Sequence, residues 1–322
     1  MMLVAITLAA ALTGCDKLRQ GMPDEAAGPV ITAKYDCVQA FGGKAPDYRD
    51  LVDLSANPGQ VTLSVDTTAV NLGVTGSYPV IYTATDSAGN TSQLGINIQV
   101  YAPKQRVAFL TFDDGPSLHT PRILHILDSC DVRATFFVIG QNKKFFDYIG
   151  REHKAGHTVA AHSYSHEYSI YRNDTTYFDD LERIEQLIKH YTGHITPLVR
   201  MPGGSSNHMF RRYHPGNRNF MHQLVDSLEA RGFMGTDWNV GGQDARGRNV
   251  PVQRIVQGAI HDPDFGHCQY LCVLMHDAVG KETTVQALPA IIAGLRAQGF
   301  VFAPLTKFSP RFQQLKPGTR IK

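Results

Sequence analysis

The sequence has little net charge, few cysteines and a single tryptophan. Its 31 Lys and Arg residues and 29 Asp and Glu residues leave a formal charge of +2 over 322 residues, which gives no electrostatic argument for nucleic-acid binding. No Walker loop, dinucleotide-binding fingerprint or serine nucleophile elbow occurs, so we predict no nucleotide cofactor. The five cysteines lack the paired spacing of a zinc finger, and the pairing of Cys37, Cys130, Cys268 and Cys272 stays open.

Long apolar runs are also missing. The stretch from Leu3 to Leu12 has ten residues, whereas a membrane-spanning helix needs about 20; its length is typical of a signal-peptide core. The following Leu12-Thr13-Gly14-Cys15 resembles a bacterial lipobox, which implies cleavage before Cys15 and lipid attachment to its thiol. We therefore predict a lipoprotein signal peptide (1–14), a tether (15–28), and an exported protein held at the cell membrane by a lipid. An ordinary signal peptide with a chance cysteine is the alternative.

Short β-rich segments characterise residues 29–102. Hydrophobic residues make up 43% of the chain and charged residues 19%, as in an ordinary globular protein with room for two domains. Segments 61–65, 80–85 and 95–100 have strand character and are separated by turn signals. The stretch from Gly76 to Asn90 resembles bacterial immunoglobulin-like repeats, which implies a small β-sandwich. We interpret this domain as a spacer, with glycan binding as the alternative.

Strands and helices alternate over residues 103–322. The segments predicted as strands are 107–112, 134–139, 158–161, 197–200, 233–240, 270–275 and 300–305. The segments predicted as helices include 177–191, 220–231, 252–260 and 285–297. Repeated β-α units indicate a parallel sheet, either open or closed as a barrel.

Five of these strands end in ionisable residues. These are Asp113 with Asp114, His162 with His166, Arg200, Asp237 with nearby Asp244, and His276. Since the carboxyl ends of parallel strands meet at one rim, where α/β enzymes assemble their active sites, we expect these side chains to lie together.

The chemistry of this set favours a metal centre. His162 and His166 are four residues apart, which on a helical turn would place both imidazoles on one face. Either Asp113 or Asp114 supplies the third ligand, leaving positions open for water and substrate. The other aspartate is then free to act as a base that Arg200 orients. His276 comes from another strand and could protonate a leaving group.

Four motifs resemble the NodB-homology polysaccharide deacetylases, carbohydrate esterase family four, in their order and spacing. They are Thr111-Phe-Asp-Asp-Gly115, His162-Ser-x-x-His166, Arg200-x-Pro202 and Leu274-Met-His-Asp277. The resemblance implies an α/β fold, a distorted (β/α) barrel, and metal-dependent removal of acetyl groups from glycans.

The resemblance also implies residue roles. Asp113 is expected to be the catalytic base, with Arg200 as its partner. Asp114, His162 and His166 are expected to bind the metal, which we predict to be zinc, although cobalt and nickel also suit these ligands. His276 is expected to be the catalytic acid.

Further implied roles concern the partner of the acid and the pocket wall. The sequence Trp238-Asn239-Val240 followed by Asp244 resembles a family motif whose aspartate orients the catalytic histidine and keeps it protonated. Asp244 is therefore assigned this role, and Asp237 is the alternative. Leu274 and Trp238 are expected to line the acetyl pocket, although Trp238 could equally belong to the core. Family members often carry an aromatic residue where this chain has Gly203, whose N–H could still serve an oxyanion.

The substrate follows less directly than the fold. A lipid anchor places the catalytic domain at the cell envelope, which favours peptidoglycan N-acetylglucosamine as the acetylated polysaccharide. An O-acetyl xylan/chitin-type esterase of the same fold and a non-catalytic glycan-binding envelope lipoprotein are the alternatives.

Overall fold

The computed structural model describes residues 28–261 and 268–320, which divide into two units. Among these residues, the first unit comprises 28–40 and 44–100, and the second comprises 41–43, 101–261 and 268–320. The predicted signal peptide, the lipidation site at Cys15 and nearly all of the tether lie outside the described residues.

The first unit consists mainly of short strands. Its strands are β1 (Thr32–Ala33), β2 (Val38–Phe41), β3 (Val52–Asp53), β4 (Val61–Asp66), β5 (Gly76–Asp86) and β6 (Thr91–Tyr101). Strands β1 and β3 form a two-stranded sheet, and the other four form a sheet in the order β2-β6-β5-β4. The pairs β1–β3, β4–β5 and β5–β6 are antiparallel. The specific prediction of an immunoglobulin-like β-sandwich stays a prediction.

Period-two alternation and turn chemistry explain the β5–β6 hairpin. Val80, Tyr82 and Ala84 alternate along β5 and are fully buried, as the sequence pattern requires of one face. At the turn, Asp86 Oδ1 accepts hydrogen bonds from the backbone N–H groups of Ala88 and Asn90, both at 2.9 Å. This side-chain cap closes the hairpin where the sequence predicts a turn.

The second unit alternates strands with helices. Its strands are β7 (Arg106–Gly115), β8 (Thr135–Ile139), β9 (Thr158–Ser163), β10 (Leu198–Val199), β11 (Met234–Gly235), β12 (Val240–Gly241), β13 (Tyr270–His276) and β14 (Phe300–Phe302). Its helices are α1 (Thr120–Ser129), α2 (Asp147–Lys154), α3 (Asp174–Thr192), α4 (Phe220–Ala230), α5 (Val252–Ile260) and α6 (Glu282–Ala297). The predicted β-α alternation is therefore confirmed.

The strands of this unit form one parallel sheet in the order β11-β10-β9-β8-β7-β13-β12, with β14 also paired to β7. Among the described strands, β11 and β12 do not pair with each other, so the predicted distorted barrel is open at this point. The prediction of a single strand over 233–240 is wrong. This segment forms two short strands at opposite ends of the sheet, where β11 pairs with β10 and β12 pairs with β13.

The two faces of the sheet have different partners. One face packs against the helices and includes Leu110, Phe112, Phe136 and Val273. The opposite face forms a second apolar cluster that includes Phe109, Phe137, Leu198 and Cys272. Burial on both faces explains the uninterrupted apolar runs in the sequence.

Among the described residues, no helix combines the length and hydropathy required to cross a membrane. In the second unit, Cys130, Cys268 and Cys272 have free thiols, and Cys272 is buried.

Candidate metal centre and catalytic site

The C-terminal end of β7 presents two adjacent carboxylates to one site. Neighbouring side chains of a regular strand point to opposite faces, but the pairing of β7 with β8 shifts register between Asp113 and Gly115. Asp114 is the extra residue and has a φ of 70°. Such a bulge re-aims a side chain, so Asp114 and Asp113 both approach His162, and Asp114 also reaches His166.

The two histidines converge through a strand and a turn, so the predicted helical turn is wrong. His162 lies in β9 at a second register shift, between Val138 and Ile139 of β8 and their partners. His166 follows in a turn with a φ of 54°. Their ring centroids lie 5.1 Å apart, because the turn folds back over the end of the strand.

Asp114, His162 and His166 form a cluster of ligand atoms that all lie within 4.8 Å of one another. Asp114 Oδ1 is 3.1 Å from His166 Nε2 and 3.5 Å from His162 Nε2. Tetrahedral ligands at about 2.0–2.1 Å from zinc would lie about 3.3 Å apart. Asp114 Oδ1 is also buried and accepts no hydrogen bond from the described residues, so this donor set fits a divalent cation.

Hydrogen bonding and burial prepare these groups for coordination. His162 Nδ1 lies 2.6 Å from the carbonyl oxygen of Arg200, so Nδ1–H donates and Nε2 faces the cluster. Burial lowers the pKa of His162, against the opposing effect of Asp113 and Asp114, which favours the neutral imidazole. Burial alone would raise the pKa of Asp114, but His166 and His162 outweigh it and hold that pKa below its usual range.

Arg200 is fully buried beneath this cluster and holds Asp113. Its guanidinium donates to Asp113 Oδ1 at 2.8 Å and to Thr111 Oγ1 at 2.7 Å. The remaining N–H groups donate to the carbonyl oxygens of Thr236 and Asp237 at 3.1 and 3.0 Å and to Cys272 Sγ at 3.3 Å. Asp113 is thus fixed by a charge-assisted pair, while its Oδ2 faces His162 Nε2 at 3.9 Å.

A second ion pair lies on the neighbouring strand. His276 and Asp113 are register partners in β13 and β7, and His276 Nδ1 lies 2.9 Å from Asp244 Oδ1. Asp244 Oδ2 accepts from the backbone N–H of His276 at 2.8 Å and from Thr284 Oγ1 at 3.0 Å. Burial alone would lower the pKa of His276, but the Asp244 carboxylate outweighs it and raises that pKa.

Asp237, the alternative partner of His276, has other contacts, so this alternative is wrong. Its carboxylate accepts from the N–H and Oγ of Ser205 at 2.7 and 2.5 Å, and from the N–H of Gln314 at 2.8 Å. Asp237 therefore anchors the loop after β10, and it does not pair with His276, the predicted acid.

Comparison with known proteins identifies the family. The polysaccharide deacetylase family matches residues 101–217. A peptidoglycan-N-acetylglucosamine deacetylase of Bacillus cereus is 32% identical over 209 residues, covering 62% of this chain and 69% of that protein. The chain belongs to the polysaccharide deacetylase family. This confirms the predicted family and enzyme class, a deacetylase hydrolase whose members depend on a divalent metal.

Other relatives agree with this assignment. The crystal structure of the catalytic domain of a peptidoglycan N-acetylglucosamine deacetylase from Eubacterium rectale has a TM-score of 0.62 and 40% identity, covering 66% of this chain and 94% of that one. A bifunctional xylanase/deacetylase of Pseudobutyrivibrio xylanivorans is 32% identical over 68% of this chain, but the chain spans only 33% of its length.

Leu274 and Trp238, which are predicted to line the acetyl pocket, lie on β13 and between β11 and β12. Leu274 is buried and sits on β13 between Cys272 and His276, with which it shares the period-two face. Trp238 is half-buried, with its ring centroid 5.7 Å from the guanidinium carbon of Arg200.

Gly203, the predicted oxyanion residue, has a φ of 77°, and a Cβ there would lie 3.4 Å from the Tyr168 hydroxyl. Tyr168 was not predicted from the sequence. Its ring lies 6.4 Å from that of His166, so an aromatic side chain stands beside the position where the deacetylase pattern lacks one.

Two buried aspartates that support the site were not predicted as functional residues. Asp277 accepts from Ser117 Oγ at 2.6 Å and from Thr120 Oγ1, and so ties the loop after β7 to the end of β13; burial raises its pKa to about 6. Asp180, on α3, contacts the turn between the two histidines. The available sequence signal was an acidic residue on the otherwise apolar face of α3.

Proposed function

We propose that this deacetylase hydrolyses N-acetyl groups of a cell-envelope polysaccharide, with peptidoglycan N-acetylglucosamine as its substrate. The observation that carries the proposal is the juxtaposition of a three-ligand cluster with two separate ion pairs, Arg200–Asp113 and His276–Asp244. The substrate assignment is supported by the relatives named peptidoglycan-N-acetylglucosamine deacetylase.

Asp114, His162 and His166 would hold the metal, which we propose is zinc because the ligands are two imidazoles and one carboxylate. Cobalt and nickel suit the same ligands. When bound, such a cation would supply Lewis-acid activation of a water molecule and of the acetyl carbonyl.

Asp113 acts as the general base. Its carboxylate is buried and paired with Arg200, so its orientation is fixed toward the site. It takes one proton from the attacking water, whose oxygen bonds to the acetyl carbon. The N–H of Gly203 donates a hydrogen bond to the oxyanion that develops, and Leu274 and Trp238 enclose the acetyl methyl group.

His276 acts as the general acid. Asp244 stabilises the imidazolium, so His276 holds a proton to deliver. As the bond between carbon and nitrogen breaks, this proton passes to the departing nitrogen. The products are acetate and a free amino sugar, so the reaction adds one water molecule across the amide bond.

The N-terminal segments set the location. We propose that Cys15 carries a lipid, that residues 15–28 form a tether, and that an immunoglobulin-like domain over 29–102 acts as a spacer for the deacetylase domain over 103–322. The peptidoglycan wall would then be the polysaccharide within reach of an enzyme held at the membrane.

Acetate release from purified peptidoglycan, with and without chelator, tests the proposal. We expect chelator-sensitive release from peptidoglycan and slower release from acetylated xylan; the reverse order would favour the O-acetyl esterase alternative, which the similarity to the bifunctional xylanase/deacetylase supports. Release from neither substrate would favour the non-catalytic alternative.

Variants test the roles. Asp113→Asn and His276→Ala should lose most turnover while retaining metal by elemental analysis, because neither residue is in the ligand cluster. His162→Ala should lose both metal and turnover. Normal acetate release by either of the first two variants would contradict the assigned base and acid.

A further inference from the structure

We propose that Asp180 is a positioning residue for the metal centre, because from helix α3 it fixes the turn that joins His162 to His166. This inference rests on the proposed metal site and adds a residue outside the ligand cluster.

The Asp180 carboxylate accepts hydrogen bonds from the residues of this turn. Its Oδ2 accepts from Ser163 Oγ at 2.6 Å and from the backbone N–H of Tyr164 at 2.7 Å. Its Oδ1 accepts from the backbone N–H of Ser165 at 2.9 Å. The carboxylate therefore contacts each of the three residues between the two histidines, and it is buried with only 6% of its surface exposed.

The second histidine is connected to this carboxylate through Ser163. The backbone N–H of His166 donates to Ser163 Oγ at 2.8 Å, and the Ser163 hydroxyl proton is donated to Asp180. His166 adopts a φ of 54°, in the left-handed region that a residue with a Cβ rarely occupies. These hydrogen bonds hold that backbone and so aim the imidazole at Asp114.

Only a carboxylate satisfies this arrangement. Three N–H or O–H donors point at Asp180, and an ionised carboxylate offers acceptors alone. An asparagine would direct an NH₂ group toward at least one donor, leaving a buried or partly buried N–H or O–H without an acceptor. The turn is held independently on its other side, where Gly140 N–H donates to the Tyr164 carbonyl at 3.0 Å, so we expect Asp180→Asn to fold with a displaced His166.

The test compares metal binding by the full-length chain as wild type, Asp180→Asn and Asp179→Asn. Asp179 is the matched control, because it is the adjacent carboxylate on the same helix but is exposed. The zinc dissociation constant is measured by competition with a chromophoric chelator, and the visible spectrum of the cobalt form reports the ligand geometry. Thermal unfolding of the metal-free proteins reports folding separately.

We expect Asp180→Asn to weaken zinc binding by about 10- to 100-fold and to alter the cobalt spectrum, while Asp179→Asn matches wild type in both. A purely structural role would lower the unfolding temperature without changing either signal. Equal zinc affinity and an identical cobalt spectrum in wild type and Asp180→Asn would overturn the inference, whereas a wild type that binds no zinc would overturn the metal site itself.

If Asp180→Asn does not fold, Ser163→Ala decides. It removes the link from His166 N–H to Asp180 and leaves the two backbone hydrogen bonds to the carboxylate. Weaker zinc binding by Ser163→Ala supports the inference, and wild-type affinity refutes it.

Discussion

Replacing Asp244 with asparagine should change the pH dependence of catalysis more than the binding of metal. The carboxylate lies 2.9 Å from His276 Nδ1 and is itself almost fully buried. The amide of Asp244→Asn would retain one oxygen for the His276 N–H and Thr284 contacts but would lose the charge that stabilises the imidazolium. None of the three metal-ligand candidates contacts Asp244 through a hydrogen bond in the described residues.

The direction of the change in pH dependence follows from the competing effects on the pKa of His276. Burial lowers its pKa and Asp244 raises it, with a net increase. Without the carboxylate the contribution of Asp244 is lost and the pKa of His276 falls, so the imidazolium loses its proton at lower pH and the alkaline limb of the rate profile moves to lower pH. A hydrogen bond to a charged group contributes about 1.5–3 kcal/mol, which corresponds to a loss of about 10- to 100-fold in kcat/KM on the alkaline side.

The assay is acetate release from peptidoglycan as kcat/KM over a range of pH, for wild type, Asp244→Asn and Asp237→Asn. Asp237 contacts Ser205 and Gln314, so Asp237→Asn should leave the position of the alkaline limb unchanged. An unmoved limb in Asp244→Asn would refute the role of Asp244, and a shift in Asp237→Asn alone would restore the alternative partner.

Three further predictions follow from buried charge, metal dependence and backbone conformation. Arg200→Met should abolish activity and reduce the free energy of unfolding by about 3–5 kcal/mol, because it leaves the Asp113 carboxylate buried without its partner; urea unfolding of the chelated protein measures this, and a near-normal midpoint would contradict it. Chelation should abolish acetate release and added zinc should restore it, whereas chelator-resistant turnover would exclude the metal site. Gly204→Ala should lower the free energy of unfolding by about 2–4 kcal/mol, because φ is 79° and a Cβ would lie 2.8 Å from Trp238. Gly193→Ala should lower it by about 1–2 kcal/mol, because φ is 76° but an added Cβ would meet no non-neighbouring atom of the described residues within 4 Å.

Much of the catalytic fold could be predicted from local patterns. Apolar runs buried on both faces, bounded by glycine and proline, indicate parallel strands, and the structure has β7, β8, β9 and β13 close to the predicted positions. The prediction of one strand over 233–240 failed because two short strands with different partners produce one continuous β-like sequence pattern. Which strand each part pairs with depends on the opening of the sheet, and periodicity carries no information about that.

The residue types that reach the catalytic rim could be read from the amino-acid sequence alone. Asp113, His162 and Arg200 follow apolar strand residues, and side chains at strand ends in a parallel sheet must meet at one edge. The choice between Asp244 and Asp237 followed from a motif resemblance, and the hydrogen bonds of His276 agree with it.

The way in which adjacent residues share the site depends on the three-dimensional fold. The register shift at Asp114 turns two consecutive carboxylates toward His162, and the left-handed backbone of His166 replaces the predicted helical turn. An acidic residue on the apolar face of α3 marks Asp180 in the sequence, but its donors on the turn after β9 are set by the fold. Residue identity thus specified the chemistry, whereas strand register and long-range hydrogen bonds determined the geometry in which it operates.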